Sequence, residues 1–263
     1  SAAKLALAAY SSDPLPDYLT LSSIDVGAFR AVAYQNEMQA GDIVIAVRGS
    51  DNLKNWYAGN PGFSGISTDE LSQYVHNLSS FTAAVYAANS NASIKLVGHS
   101  LGGGLAQLVG YEMGVDAYGF NAPGIGNLLT TSRDRAIFPD DTAVVRDLYF
   151  NPNRFNSSGL DGLVNITLSG DVVSGWISNS GLSPKVGQTI TLPEDPVAYA
   201  LKNLDNDPVM DVIENTIKAG QAAIINHSIY SVIARLEKQS GVVKVEQGDK
   251  TVALQTSLPS LQE

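Results

Sequence analysis

Short apolar runs bounded by glycine, asparagine or aspartate alternate along the chain with longer stretches whose apolar residues recur at helical spacing. The runs at residues 24–35, 41–48, 94–97, 116–120 and 163–168 are rich in Val, Ile, Leu and Ala and predict strands. Between them, residues 68–89 carry Asp69 and Glu70 at the start and then Leu71, Tyr74, Val75, Leu78, Phe81 and Val85. That is the signature of an amphipathic helix with acids in its first turn. Residues 104–113 and 213–225 predict further helices, and the alanine-rich opening SAAKLALAAY predicts another. With a single Lys4 and no basic-apolar-small sequence of zones, this opening reads as a helix and not a signal peptide. Strand and helix alternating in this way predict an α/β fold: a mostly parallel central sheet with helices on both faces.

No repeat and no linker-like stretch interrupts the pattern, so a single domain over residues 1–263 is expected. Two regions fit it poorly. Residues 123–156 mix prolines, acids, arginines and short apolar pieces, and residues 193–211 hold Pro193, Pro196 and Pro208. Excursions of this kind commonly build the walls of a site, and a cap or insertion is expected near 123–156.

Composition narrows the function. Sixteen basic against 26 acidic residues leave a formal net charge of −10, which repels phosphate backbones and anionic surfaces at long range; no nucleic-acid partner is expected. The absence of cysteine removes disulfides, thiolate metal sites and a cysteine nucleophile from consideration. No apolar run approaches the roughly 18 residues of a membrane-crossing helix. Asn-x-Ser/Thr triplets at Asn77, Asn91, Asn156, Asn165 and Asn226 are read as accidents of composition, Asn165 lying inside an expected strand.

One stretch carries chemistry. In IKLVGHSLGGG, Ser100 stands between Gly98 and Gly102, directly after an apolar strand and before GLAQLVGYEM. A serine on a sharp strand-to-helix turn has a strained backbone, and side chains at the flanking glycines would strike the adjacent strand and helix. The turn lifts the hydroxyl out of the sheet and leaves the Leu101 N–H at a helix N-terminus, aimed where an oxyanion would form. The alternative is a glycine-rich turn with a capping serine, but the strand before and the helix after are the context that the nucleophile motif requires. A nucleophilic serine needs a base, and the chain has three histidines. His99 lies inside the turn facing away, His76 lies on the preceding helix, and His227 alone follows the serine. In hydrolases of this architecture the order is Ser, acid, His, which selects His227. For the acid, Asp171 in LVNITLSGDVV follows a strand, at the sheet edge where open α/β proteins hold their ligands. Asp116 precedes a strand, at the opposite edge, while Asp161, Asp195, Asp205 and Asp207 remain as alternatives in turn-rich sequence.

These residues resemble the class 3 lipases, the fungal-lipase-like α/β-hydrolases. Besides GHSLGGGLA, the stretch IVIAVRGSDNLKNW resembles that family's Arg-Gly-Ser/Thr segment and following tryptophan. YVHNL resembles its Val-His element, and FNAPGIGN its Phe-Gly-x-Pro-x-x-Gly-Asn element. The order and spacing match over about residues 5–236, and four motifs together are far more specific than one. The resemblance implies an α/β-hydrolase fold, Ser100 as nucleophile, Asp171 as acid and His227 as base. It also implies an oxyanion hole from the backbone N–H groups of Ser50 and Leu101, with the Ser50 hydroxyl assisting and Arg48 structural. No cofactor and no metal are implied. The partner implied is an acyl ester or lipid substrate, met by transient contact with a membrane or lipid interface. Three departures shape the expectation: residues 51–67 are too rich in Gly, Pro and Ser for a lid helix, 123–156 is long, and cysteines are missing. The first implies a short or absent lid, and the other two suggest a bacterial branch with its own specificity; a secreted or exported protein is expected. The function expected is a serine carboxylester hydrolase, lipase or esterase. The rival readings are phospholipase A1 or acyltransferase chemistry in the same fold, and a non-catalytic hydrolase-fold module of a larger protein.

Overall fold

The computed structural model describes residues 2–11, 15–49, 68–129, 160–177, 184–194 and 225–238 and the strands Val243–Gln247 and Lys250–Leu254. Among them, α1 (Ala2–Ala8) leads into β1 (Tyr18–Val26), β2 (Phe29–Asn36) and β3 (Gln39–Val47). Then come α2 (Thr68–Ala88), β4 (Ser93–His99), α3 (Leu101–Met113), β5 (Asp116–Phe120) and the short α4 (Gly126–Leu129). β6 (Leu163–Leu168), a π-helical segment Val172–Ile177, β7 (Gln188–Leu192), α5 (Ile229–Lys238), β8 (Val243–Gln247) and β9 (Lys250–Leu254) complete the order.

The nine strands form one sheet in sequence order. β3 to β7 are parallel neighbours, and antiparallel hairpins extend the sheet at either end. Parallel strands need crossovers, which cover both faces; hence the unbroken apolar runs Ile43–Val47 and Leu96–Val97, buried throughout. Alternate side chains of β2 and β3 serve opposite layers. Ala31, Ala33, Ile43, Ile45 and Val47 pack with Leu71, Val75 and Leu78 of α2 and Leu105, Leu108 and Val109 of α3. Val32, Tyr34, Val44 and Ala46 pack with Leu5 and Ala6 of α1 and Ile229 and Val232 of α5. Among the described residues no helix is long and apolar enough to cross a membrane.

Three expectations are corrected. The strand expected over 24–35 is the end of β1 and most of β2, joined by a two-residue turn in which Val26 pairs with Phe29. Gly27 opens that turn at φ 59°, as a right-twisted hairpin requires. The segment after 241, where none of the expected strands falls, carries β8 and β9, which continue the sheet from β7. The helix expected over 104–113 begins earlier, at Leu101, because Gly102, Gly103 and Gly104 are themselves helical. The remaining strand expectations fall within a residue or two, and 116–120 and 163–168 coincide with β5 and β6. Residues 51–67, 130–156 and 195–211 and most of the helix expected at 213–225 lie outside the described residues.

Candidate active site

Ser100 sits between β4 and α3 with φ 56° and ψ −130°, a strained conformation for a residue with a side chain. What holds it there is close packing. A Cβ on Gly98 would lie 2.3 Å from the Gly102 carbonyl carbon, and one on Gly102 would lie 2.3 Å from the Val47 carbonyl oxygen. β4 and α3 therefore approach backbone to backbone, and any larger residue at either place opens the turn. Ser100 N–H donates to the Phe120 carbonyl at 2.9 Å, tying the turn to the end of β5. Leu101 is the first residue of α3, so its N–H has no acceptor within the helix.

The residues expected from the sequence to act together are brought together. His227 Nε2 lies 2.9 Å from Ser100 Oγ, and His227 Nδ1 lies 2.7 Å from Asp171 Oδ1. All three are buried. With the carboxylate accepting from Nδ1–H, Nε2 carries the lone pair and accepts from the serine hydroxyl. Asp171 stands just past β6 and before the π-helical segment, and its second oxygen is also occupied. Ser174 N–H donates to Oδ2 at 2.6 Å, and the Ser174 hydroxyl donates to the same oxygen. One carboxylate thus caps its own segment with one oxygen and faces the imidazole with the other. Asp116 opens β5 at the opposite end of the strands and Asp161 is exposed; Asp195, Asp205 and Asp207 lie outside the described residues.

Ser50 also lies outside the described residues, but its neighbour Gly49 fixes where the β3 segment runs. A Cβ on Gly49 would meet the His99 carbonyl oxygen at 2.5 Å and Ser100 Cβ at 3.3 Å. The end of β3 therefore passes directly beside the serine. Arg48, expected to be structural, donates to the Ala28 carbonyl at 2.9 Å, in the β1–β2 turn. His76 is half-buried on α2, away from this cluster.

His99, set aside as a base in the sequence, is nevertheless part of the site. Its Nε2–H donates to the His227 carbonyl at 2.6 Å, which leaves Nδ1 to accept from the Tyr10 hydroxyl at 3.0 Å. The Tyr10 oxygen in turn accepts from Gly49 N–H at 3.1 Å. Burial first, then the nearby His227, push the His99 pKa down to about 3, so the ring is a neutral strut. A further buried strut is Asn121, at φ 46°. Its Oδ1 accepts from Leu168 N–H at 2.9 Å and its Nδ2 donates to the Asn226 carbonyl at 2.7 Å. Tyr10, Ser174 and Asn121 were not singled out from the sequence. The only signal was at Asn121, which stands where the Phe-Gly-x-Pro element has glycine.

A parallel-centred sheet covered by helices on both faces, with a serine on a strained strand-to-helix turn, is the α/β-hydrolase fold. Residues 5–145, more than half of the chain, match the Tle-like phospholipase domain family, and the chain belongs to it. The match includes Ser100 and ends before Asp171 and His227. Among solved structures, the Rhizomucor miehei lipase in complex with its propeptide is similar at TM-score 0.50 and 13% identity, over 86% of this chain and 76% of that one. A triacylglycerol lipase from Penicillium expansum is similar at TM-score 0.46 and 19% identity, over 73% and 77%. At 13% identity the likeness to the Rhizomucor lipase concerns the fold. No curated protein matches the sequence.

Proposed function

We propose that the protein is a serine carboxylester hydrolase that cleaves acyl lipids through a Ser100–His227–Asp171 triad. The observation that carries this reading is the unbroken buried line from Ser100 Oγ through both imidazole nitrogens to Asp171. His227 Nε2 removes the hydroxyl proton as Oγ attacks the ester carbonyl, and Asp171 stabilises the imidazolium without taking the proton. The carbonyl oxygen becomes an oxyanion held by the N–H groups of Leu101 and Ser50. Collapse expels the alcohol, protonated by His227, and leaves an acyl-serine; water, deprotonated by the same nitrogen, releases the fatty acid and restores Oγ–H. None of these steps calls for a metal or cofactor.

Membership of a family described as phospholipase-like favours a glycerophospholipid over a triglyceride as the ester. The test is a fluorophosphonate probe together with a substrate panel of p-nitrophenyl esters, phosphatidylcholine and phosphatidylethanolamine vesicles, and a triglyceride emulsion. Labelling at Ser100 and release of fatty acid from the vesicles are expected. A folded protein that is neither labelled nor active on any ester is a binding module and not an enzyme.

A further inference from the structure

Three segments that are distant in the chain must meet for the triad to exist: the turn at Ser100, the end of β6 leading to Asp171, and the segment Ile225–His227. Asn121 and the peptide group that joins it to Phe120 touch all three. The peptide group between Phe120 and Asn121 accepts from Ser100 N–H through its carbonyl at 2.9 Å and donates to the Ile166 carbonyl through its N–H at 2.9 Å. The Asn121 side chain then reaches past the end of β5. Its Oδ1 takes the Leu168 N–H, three residues before Asp171. Its Nδ2 binds the carbonyl of Asn226, the residue before His227. The orientation of the amide is fixed by its partners, because an N–H can only donate and a carbonyl can only accept. The side chain is completely buried, where an unmade bond to either partner is costly.

We propose that Asn121 is a positioning residue: its carboxamide clamps the acid-bearing and base-bearing segments in register with the nucleophile, and so sets the turnover rate without touching substrate. The inference rests on the triad reading. It also accounts for a residue with a side chain at positive φ, where glycine would be unstrained. If the position needed only that backbone conformation, glycine would serve at least as well. Both hydrogen-bond partners of the side chain, the Leu168 N–H and the Asn226 carbonyl, are backbone groups of the two segments.

The discriminating variant is therefore Asn121→Gly, which keeps the backbone conformation and removes both side-chain bonds. A loosened base shifts reacting atoms by a fraction of an ångström to an ångström, a displacement that costs up to about 100-fold in rate. The expected result is kcat lowered about 10- to 100-fold with KM within about twofold. Asn121→Asp, the same size, keeps the acceptor for Leu168 N–H and loses the donor to Asn226. It is expected to lower kcat in the same direction, and it decides the question if the glycine variant does not fold. Rates are taken per folded molecule, with folding followed by circular dichroism. Wild-type kcat in either folded variant overturns the clamp, as does a loss carried entirely by KM. Failure of the triad reading is seen separately, as wild-type protein that is not labelled by fluorophosphonate at Ser100.

Discussion

The Tyr10 hydroxyl donates to His99 Nδ1 at 3.0 Å while accepting from Gly49 N–H. In this way a residue just beyond α1 is wired to the carbonyl of His227 on one side and to the strand end beside Ser100 on the other. Tyr10→Phe removes the hydroxyl and leaves a buried ring nitrogen and a backbone N–H without that partner. Each such orphan costs about 1–3 kcal/mol, so a loss of at least about 1 kcal/mol is expected. The midpoint of urea unfolding measures it.

The same strut makes a prediction about pH. His99 is held neutral, with its pKa pushed down to about 3, whereas in the unfolded chain it titrates near 6.5. Above about 6.5 both states are neutral and the group contributes no pH dependence. Between about 6.5 and 3 only the unfolded chain takes up the proton, so this group lowers stability as pH falls. Ring resonances of His99 followed by NMR are expected not to titrate from pH 8 to 4.5. A midpoint near 6.5 would mean that the ring is not enclosed as described.

Loss of a triad member acts on the whole unit. Ser100→Ala and His227→Ala are each expected to lower kcat by about 10⁴ to 10⁶, and Asp171→Asn by about 10⁴ through the wrong imidazole tautomer. Circular dichroism should be unchanged. Ester hydrolysis by a folded Ser100→Ala protein at near wild-type rate would place the chemistry elsewhere.

Ser174 tests how much of the acid's position is owed to its cap. Ser174→Ala deletes the hydroxyl donor to Asp171 Oδ2 but keeps the backbone N–H bond. A decrease in kcat of about tenfold or less is expected, near 1 kcal/mol for one hydrogen bond. Steady-state kinetics on a soluble ester check it.

Gly102→Ala addresses the turn itself. Its Cβ would lie 2.3 Å from the Val47 carbonyl oxygen and 2.7 Å from the Arg48 carbonyl oxygen, both of them backbone and unable to swing aside. Overpacking of this kind costs typically 1–3 kcal/mol and sometimes more. A lowered melting temperature together with lost labelling of Ser100 is the expected pair of results.

Much of this was legible beforehand, for physical reasons that differ from residue to residue. Ser100 could be read because a nucleophile turn is local: strand, glycine, serine, glycine and helix lie within eleven residues of one another. His227 followed from chain order and from the shortage of histidines, and Asp171 from its place after β6. The β1–β2 turn was missed because a lone Gly27 inside an apolar run does not distinguish a bend from a strand. The β8–β9 hairpin was missed because β8 has only β7 and β9 to pair with, and that pairing is tertiary. The partners of Tyr10 and Asn121 were illegible for the same reason. Tyr10 bonds across 89 residues and Asn121 across 47 and 105, distances over which no local pattern survives.

Those long reaches give the site a place in time as well as in space. The hydroxyl and its base are 127 residues apart in the chain, and α5, which follows the base, is seated against α1, with Lys4 and Glu237 paired at 2.7 Å. Contacts of such separation form late and depend on the closure of long loops. On the proposed triad, a chain emerging from synthesis displays its serine well before its base, and is expected to be inert until α5 docks. Conversely, a folded molecule that lets only this seam open keeps its sheet and loses its chemistry. Competence therefore reports on the joining of the first and last described helices.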